Sequence, residues 1–197
     1  MAVYTFVGLG NPQDEYDGTR HNTGNMAVEA LRKVFDFEDW SLDKRHESLV
    51  SRGVYEKEKV VLMLPQTYMN KSGKAVVGLA GKPSSRERLV VIHDDLDIPF
   101  GSFKISFGKH SGGHRGVDSI VRSAKSRDFI RIRIGISKVS SKGKLLKPKG
   151  EQAVEKWILG AFTKDELSAL KRVFKKVGEA SKMIIEEGRG QAMNQFN

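Results

Sequence analysis

The chain has 197 residues, of which 39% are hydrophobic and 29% are charged, as is typical of a protein that folds around one apolar core. It contains no cysteine, which excludes disulfide bonds, thiolate nucleophiles and cysteine-based zinc sites. Lysine and arginine outnumber aspartate and glutamate by 34 to 24, and the net charge of +10 favours a polyanionic partner such as nucleic acid, although a merely basic protein is the alternative.

Nothing in the sequence predicts membrane insertion or export. No apolar run approaches the roughly 20 residues that a membrane-spanning helix needs, and the chain enters its first predicted strand without a basic leader. We therefore expect a cytoplasmic protein in which residues 1–197 form a single domain.

The first polar loop, residues 8–24, lies between a predicted strand and a predicted helix. Residues 3–7 are a nearly continuous apolar run, as in a strand buried on both faces, and apolar residues recur at helical spacing over residues 25–36. Loops that leave the carboxyl end of a strand face the ligand crevice of an α/β sheet. The side chains of this loop that bind ligands or transfer protons are Asn11, Tyr16, Arg20 and His21.

Two further polar segments follow along the chain. Segments 48–55 and 59–64 predict an antiparallel hairpin, and the polar loop 65–73 leads into a predicted helix that ends at Pro83. The next apolar strand opens into His93-Asp94-Asp95-Leu96-Asp97. The alternation of strands and helices predicts a single-domain α/β fold, with a central twisted mixed sheet between helices.

A strand with two arginines is predicted in the second half of the chain. Strand 103–107 precedes the glycine-rich loop 108–116 and a short helix. Strand 129–136 then alternates, so that Arg131 and Arg133 share one face. We predict that this face presents both guanidinium groups to solvent.

Basic residues also mark the end of the chain. Segment 138–150 combines lysines with serine, glycine and proline and predicts a mobile loop. Residues 164–187 predict a long amphipathic helix, and residues 189–197 predict a frayed tail.

A histidine and an aspartate at two strand ends predict a proton-transfer pair. His21 can take a proton near neutral pH, if a partner fixes its tautomer. Asp94 leaves a buried strand, where a carboxylate needs a hydrogen-bonding partner, so the pair could activate water. Asn11 and Asn70 offer amides suited to an ester or peptide-like substrate and to a developing oxyanion. The set favours hydrolysis by water without a metal ion or cofactor.

These residues also have ordinary structural explanations. A lone histidine in a loop is more often structural than catalytic, and Asn11 and Asn70 could be turn or helix-cap residues. The carboxylates in residues 94–97 could hold Mg²⁺, but such sites usually draw a ligand from another element.

A dinucleotide site is a further alternative. Gly8-Leu9-Gly10 follows the first strand, as in dinucleotide-binding folds. However, Gln13 stands where the fingerprint has its third glycine, and Pro12 lacks a backbone N–H that the phosphate loop would use. Two glycines alone are weak evidence for a dinucleotide-binding site.

Six short motifs occur along the chain. They are Val7-Gly8-Leu9-Gly10-Asn11-Pro12, Thr19-Arg20-His21-Asn22-x-Gly24, Thr67-Tyr68-Met69-Asn70-x-Ser72-Gly73, His93-Asp94-Asp95-Leu96-Asp97, Gly112-Gly113-His114-x-Gly116 and Arg131-Ile132-Arg133-Ile134-Gly135. The series resembles that of the bacterial-type peptidyl-tRNA hydrolase family and covers about residues 7–135. The overall length also fits the family.

The resemblance implies a reaction and a setting for it. The family cleaves the ester that joins a peptide to the terminal ribose of tRNA, which releases tRNA for reuse in translation. The resemblance therefore implies a cytosolic monomer that needs no cofactor, metal or obligate protein partner. It also implies a mixed sheet of the phosphorylase/hydrolase-like type. The expected partner is peptidyl-tRNA, bound through its acceptor stem.

The resemblance also implies roles for single residues. His21 would be the base that activates water, Asp94 would stabilise its working form, and Asn11 would help to distinguish a peptidyl from an aminoacyl group. Arg133 would hold a tRNA phosphate. The residues implied to line the cleft or to bind substrate beside it are Tyr16, Tyr68, Asn70 and His114.

Two positions depart from the family pattern. Arg115 stands where the family commonly has Asn after Gly-Gly-His, and a guanidinium donates hydrogen bonds but cannot accept them. Ser106 stands where some members have a second basic residue, so Lys104, Lys109 or Arg115 is expected to contact tRNA instead. An RNA-binding relative without activity is the main alternative, although the hydrolytic residues are intact.

Overall fold

The structure is a computed structural model that describes residues 2–197. Its strands are β1 (Val3–Gly8), β2 (Ser41–Asp43), β3 (Ser48–Tyr55), β4 (Glu58–Pro65), β5 (Leu89–Pro99), β6 (Phe103–Phe107), β7 (Ile130–Val139) and β8 (Leu145–Leu146). Its α-helices are α1 (Thr23–Phe35), α2 (Pro83–Arg86), α3 (Arg115–Ala124), α4 (Glu151–Ile158), α5 (Lys164–Glu186) and α6 (Arg189–Phe196). Three 3-10 segments comprise Asp14–Tyr16, Arg20–Asn22 and Met69–Val76.

The strands form one mixed sheet in the order β2-β3-β4-β1-β5-β7-β6, and β8 pairs with β7 outside this path. β1 runs parallel to β4 and β5, and β5 runs parallel to β7. β3 and β4 form the predicted antiparallel hairpin, and β6 is antiparallel to β7. The predicted α/β fold with a central mixed sheet is therefore confirmed.

Helices cover both faces of the sheet. Helices α1, α5 and α6 pack on one face, where the core includes Phe6 and Val177. Helix α3 and the 3-10 segment Met69–Val76 cover the other face, around Val7 and Ile120. Because successive residues of a strand point to opposite faces, a strand that is covered on both faces needs apolar residues at successive positions. Residues 89–92 of β5 are all apolar and buried, and β1 is apolar except at Thr5, which is why both appear in the sequence as apolar runs.

A glycine brings the start of α1 against the ends of β1 and β5. A Cβ on Gly24 would lie 2.2 Å from the carbonyl oxygen of Ile92 and 2.5 Å from the backbone nitrogen of Leu9. Only glycine permits this approach without displacement of the backbone. The 3-10 turn that carries His21 directly precedes α1, so the close packing places His21 beside the residues that follow Ile92.

The helix predicted after loop 65–73 is wrong in type and in extent. The segment forms the 3-10 helix Met69–Val76, and Pro83 begins the short helix α2 instead of ending a long one. Gly78 has a φ of 80°, which interrupts a right-handed helix. Proline fits the first turn of a helix because its missing N–H would have no partner there.

The predicted frayed tail is also wrong, because residues 189–197 form helix α6 and its cap. Phe196 packs on Phe103, with ring centroids 5.9 Å apart. The side-chain amide of Asn197 accepts a hydrogen bond from the nitrogen of Ile105 at 2.7 Å and donates one to its carbonyl oxygen at 3.0 Å. Asn197 thus satisfies backbone groups on the edge strand β6, which would otherwise face solvent.

The predicted exposure of both arginines on β7 is wrong for Arg131. This residue is only 1% exposed, and its guanidinium donates to the carbonyl oxygen of His110 at 2.8 Å. The glycine-rich loop 108–114 therefore lies over part of the polar face of the strand. Alternation in the sequence identified the face, but it could not show that a loop covers one end.

Segment 138–150 contains more regular structure than predicted. β7 continues to Val139 and pairs with β8, and Lys147 forms an ion pair with Asp97. The mobility of this segment stays a prediction. Helix α4, which follows it, was not predicted. Within residues 2–197, no helix combines the length and the apolar character needed to cross a membrane.

Candidate active site

A cleft of about 460 Å³ opens at the carboxyl ends of the parallel strands. It is within the size range of small-molecule sites. The predicted site residues that line it are Asn11, Tyr16, His21, Tyr68, Asn70, Asp94, His114 and Arg115. Arg133 is outside this lining, but its ion-pair partner Asp95 belongs to it. The three polar strand ends that the sequence indicated thus meet in one place.

His21 and Asp94 form a buried hydrogen-bonded pair. Nδ1 of His21 lies 3.0 Å and 3.1 Å from the two carboxylate oxygens of Asp94. His21 is 7% exposed and Asp94 is 3% exposed. Because a carboxylate only accepts hydrogen bonds, the proton of a neutral His21 resides on Nδ1. Nε2 then carries the lone pair, and His21 can act as a base toward the cleft.

His114 holds the same carboxylate from a second side. Its Nε2 lies 2.9 Å from Oδ1 of Asp94, and its Nδ1 accepts from the backbone nitrogens of Gly116 and Val117 at 3.2 and 3.3 Å. The latter contacts cap the start of α3. Two N–H donors at Nδ1 require the proton of His114 to be on Nε2. Both ring nitrogens are therefore used within the protein, which the sequence did not indicate.

The pair is arranged so that Asp94 stays ionised and His21 binds a proton readily. Burial opposes ionisation of Asp94, but the two histidines outweigh it and hold the pKa of this carboxyl far below its usual range. Burial likewise lowers the pKa of His21, whereas the charge and hydrogen bond of Asp94 raise it, and the net pKa is above the ordinary value. The positive charge of Arg115 acts in the same direction as burial and lowers the pKa of His21.

His21, Asp94 and His114 are also the types of side chain that bind metal ions. Their ligand atoms lie within 4.8 Å of one another. However, His114 would have to present a lone pair at Nε2 to bind a metal ion, and this would move its proton to Nδ1, against two backbone N–H groups. The donor set therefore fits a proton-transfer site better than a metal site.

Asn11 is held in the cleft by contacts from two other motifs. Its Oδ1 accepts from the backbone nitrogen of Met69 at 2.8 Å. The side chain of Asn22 accepts from the Asn11 nitrogen at 2.8 Å and donates to the Asn11 carbonyl at 3.0 Å. These contacts leave Nδ2 of Asn11 as a donor for a bound substrate. Asn70 is exposed at the start of the neighbouring 3-10 helix.

Two tyrosines form the outer part of the same wall. Tyr68 is 48% exposed, and its hydroxyl accepts a hydrogen bond from Gln13 at 3.1 Å. Tyr16 lies on the 3-10 segment Asp14–Tyr16, and the nearby Glu15 raises its pKa. Both aromatic rings are accessible to a ligand in the cleft.

Helix α4 forms the wall of the cleft opposite the two tyrosines. The sequence patterns did not lead us to predict this helix or its place in the site. The lining residues from this helix and its end are Glu151, Val154, Glu155, Ile158 and Leu159. Apolar residues at positions 154, 157 and 158 have helical spacing, so the signal was present in the sequence. Arg115 reaches across the cleft to Glu151, with Nη2 and Oε1 2.6 Å apart.

Arg133 and its neighbours form a polar group beside the cleft. Nε of Arg133 donates to Asp95 at 2.8 Å, and its side chain is 19% exposed. Lys104 is directly opposite Arg133 on β6 and is exposed. Ser106 is 1% exposed, so it is buried in the sheet. Of the basic residues expected to replace it in tRNA contact, Lys104 has the position closest to Arg133 in strand register.

Comparison with known proteins places the chain in one family. The family described as Peptidyl-tRNA hydrolase matches residues 5–197. The chain is 38% identical over 193 residues to the peptidyl-tRNA hydrolase of Syntrophotalea carbinolica, with 97% of this chain and 95% of the relative covered. It is 37% identical over 196 residues to that of Caldanaerobacter subterraneus, covering 99% and 100%.

Solved structures agree with this assignment. The crystal structure of peptidyl-tRNA hydrolase from Acinetobacter baumannii is similar with a TM-score of 0.85 and 32% identity, over 99% of this chain and 94% of that chain. The motif series, the fold and the sequence relatives point the same way, so the chain belongs to the peptidyl-tRNA hydrolase family.

Proposed function

We propose that this protein hydrolyses the ester between a peptide and the terminal ribose of tRNA, with His21 as the base that activates water. The family assignment supports the reaction class. The observation that supports the mechanism is the pair of hydrogen bonds that Asp94 accepts from His21 and His114. This arrangement directs the lone pair of His21 toward the cleft.

In this mechanism Nε2 of His21 removes a proton from a water molecule as the water oxygen attacks the ester carbonyl carbon. Negative charge then develops on the carbonyl oxygen, where the amides of Asn11 and Asn70 donate hydrogen bonds. The imidazolium of His21 is stabilised by Asp94 and returns the proton to the ribose oxygen as the ester bond breaks. No metal ion or cofactor takes part.

We assign the aromatic side of the cleft to the end of the tRNA chain. Tyr68 is exposed and Tyr16 is half-buried, and both line the cleft, where a terminal base can stack on their rings. Arg133 and Lys104 lie beside the cleft on adjacent strands and would contact phosphate, with Asp95 fixing the orientation of the Arg133 guanidinium. Arg115 is the other basic residue at this site.

Single-turnover cleavage of an N-acetylaminoacyl-tRNA in the presence of EDTA tests the proposal. We expect rapid release of tRNA by the wild-type protein and loss of turnover in His21→Ala, with tRNA affinity nearly unchanged. Equal loss of cleavage and affinity would contradict the base assignment. If the wild-type protein binds tRNA but does not cleave the ester, the chain is an RNA-binding relative of the enzyme.

A further inference from the structure

Arg20, the residue directly before His21, is buried, and both terminal nitrogens of its guanidinium are hydrogen-bonded. It is 7% exposed. Nη1 donates to the carbonyl oxygens of Gly160 and Ala161, both at 3.0 Å, and Nη2 lies 3.1 Å from a carboxylate oxygen of Glu166. The backbone nitrogen of Arg20 also donates to Gly160 at 3.1 Å. A residue adjacent to the base is thus bound to a segment 140 residues away in the sequence.

Two aromatic rings complete the environment of this guanidinium. Its central carbon is 4.2 Å from the ring centroid of Trp157 and 5.1 Å from that of Phe162. Trp157 belongs to α4, and its indole nitrogen donates to the carbonyl oxygen of Ile136 at 3.3 Å. Arg20 therefore joins the His21 turn to the last turn of α4 and to the connection with α5.

The other side of α4 is the wall of the cleft. Val154, Ile158 and Leu159 present apolar surface there, and Glu151 and Glu155 add carboxylates. Apolar and acidic groups do not attract phosphate, so this wall suits a peptide and not an RNA backbone. Its distance from His21 determines whether a peptide extending from the ester can lie against it.

We propose that Arg20 is a positioning residue that sets the α4 wall relative to His21 and thereby determines how the protein binds peptide residues beyond the one esterified to tRNA. The inference rests on the proposed hydrolysis and extends it to peptide length. Lysine cannot replace arginine here, because its single ammonium group cannot contact two carbonyls, a carboxylate and two ring faces together.

The test compares Arg20→Lys with the wild-type protein on N-acetylalanyl-tRNA and N-acetyl-tetraalanyl-tRNA. We expect KM for the longer substrate to rise about tenfold, equivalent to ~1.4 kcal/mol, while KM for the shorter one and both kcat values change less than about threefold. Glu166→Gln is a second variant, since Gln still completes the capping box of α5 with Thr163 but weakens the anchor of Arg20.

The matched control is Arg32→Lys, which alters an arginine that bonds Phe37 and Asp39 outside the cleft. We expect it to leave both substrates unaffected. Equal changes for the two substrates in Arg20→Lys and Glu166→Gln, or no change in either, would overturn the role of Arg20. Failure of the wild-type protein to cleave either substrate would instead overturn the proposed hydrolysis, and this inference with it.

Discussion

His114 donates a hydrogen bond from Nε2 to the carboxylate of Asp94, at 2.9 Å, while its Nδ1 caps helix α3. The carboxylate that orients the proposed base, His21, is thus fixed by a helix start as well as by a strand. Residues that act on a catalytic group through a hydrogen bond set its geometry and charge. His114 therefore has a supporting role that can be separated from capping.

The two roles of His114 predict different results for two substitutions. In His114→Asn, the amide oxygen can still cap α3 but the contact with Asp94 is lost, so we expect kcat to fall by roughly 10-fold or more with stability near that of the wild type. His114→Ala should lose the cap as well, at a cost of about 1 kcal/mol in the free energy of unfolding. Urea denaturation and single-turnover kinetics check both. Equal stability of the two variants would contradict the capping role.

The pH dependence of kcat/KM should report the raised pKa of His21. The protonated ring cannot accept a proton from water, so activity should be lost as pH falls through this pKa, at a midpoint above the ordinary value of about 6.5. Asp94→Asn removes the charge that raises the pKa, so the midpoint should move to lower pH while the maximal rate falls by roughly 10²–10⁴-fold. An unchanged midpoint in this variant would show that another group titrates.

Arg115→Asn should shift the same profile in the other direction. Burial lowers the pKa of His21 and Asp94 raises it, and the Arg115 guanidinium lowers it again. Removal of this positive charge should therefore move the acidic limb to higher pH. The ion pair with Glu151 is exposed, so the thermal midpoint of unfolding should change little. A shift of the limb to lower pH would contradict the assigned effect.

Arg133→Ala and Lys104→Ala should each weaken tRNA binding and flatten its dependence on salt. Loss of one phosphate contact lowers the slope of log K against log salt by about 1. Fluorescence titrations with deacylated tRNA at several salt concentrations measure the slope. Ser106→Ala is the matched control, because this buried residue should leave the slope unchanged. An unchanged slope in Arg133→Ala would remove that residue from the phosphate contacts.

Asn197→Ala should destabilise the protein without loss of activity. It removes two hydrogen bonds to Ile105, at a cost of about 1–2 kcal/mol in the free energy of unfolding. Asn194→Ala, at an exposed position on the same helix, should have no such effect. Thermal unfolding compares the two variants, and equal midpoints would show that the α6 contact contributes nothing to stability.

Much of the fold and part of the candidate site followed from local sequence patterns. The apolar residues predicted β1 and the hairpin of β3 and β4, because burial on both faces makes a strand apolar at successive positions and burial on one face makes it alternate. The polar segments that follow β1 and the apolar run 89–92 of β5 predicted that His21 and Asp94 meet, since the carboxyl ends of parallel strands share one edge of the sheet.

The sequence by itself determined the α/β class, the order of the motifs and the chemical types that meet in the cleft. Only the tertiary structure decided which partner each group has, because hydrogen bonds join residues far apart in the chain. His114 could bind substrate or Asp94, Arg131 could face solvent or lie under a loop, and Arg20 could be exposed or buried against α4. The periodicity of apolar residues indicates which face of an element is buried. It does not specify which segment covers that face, or which distant residues its side chains contact.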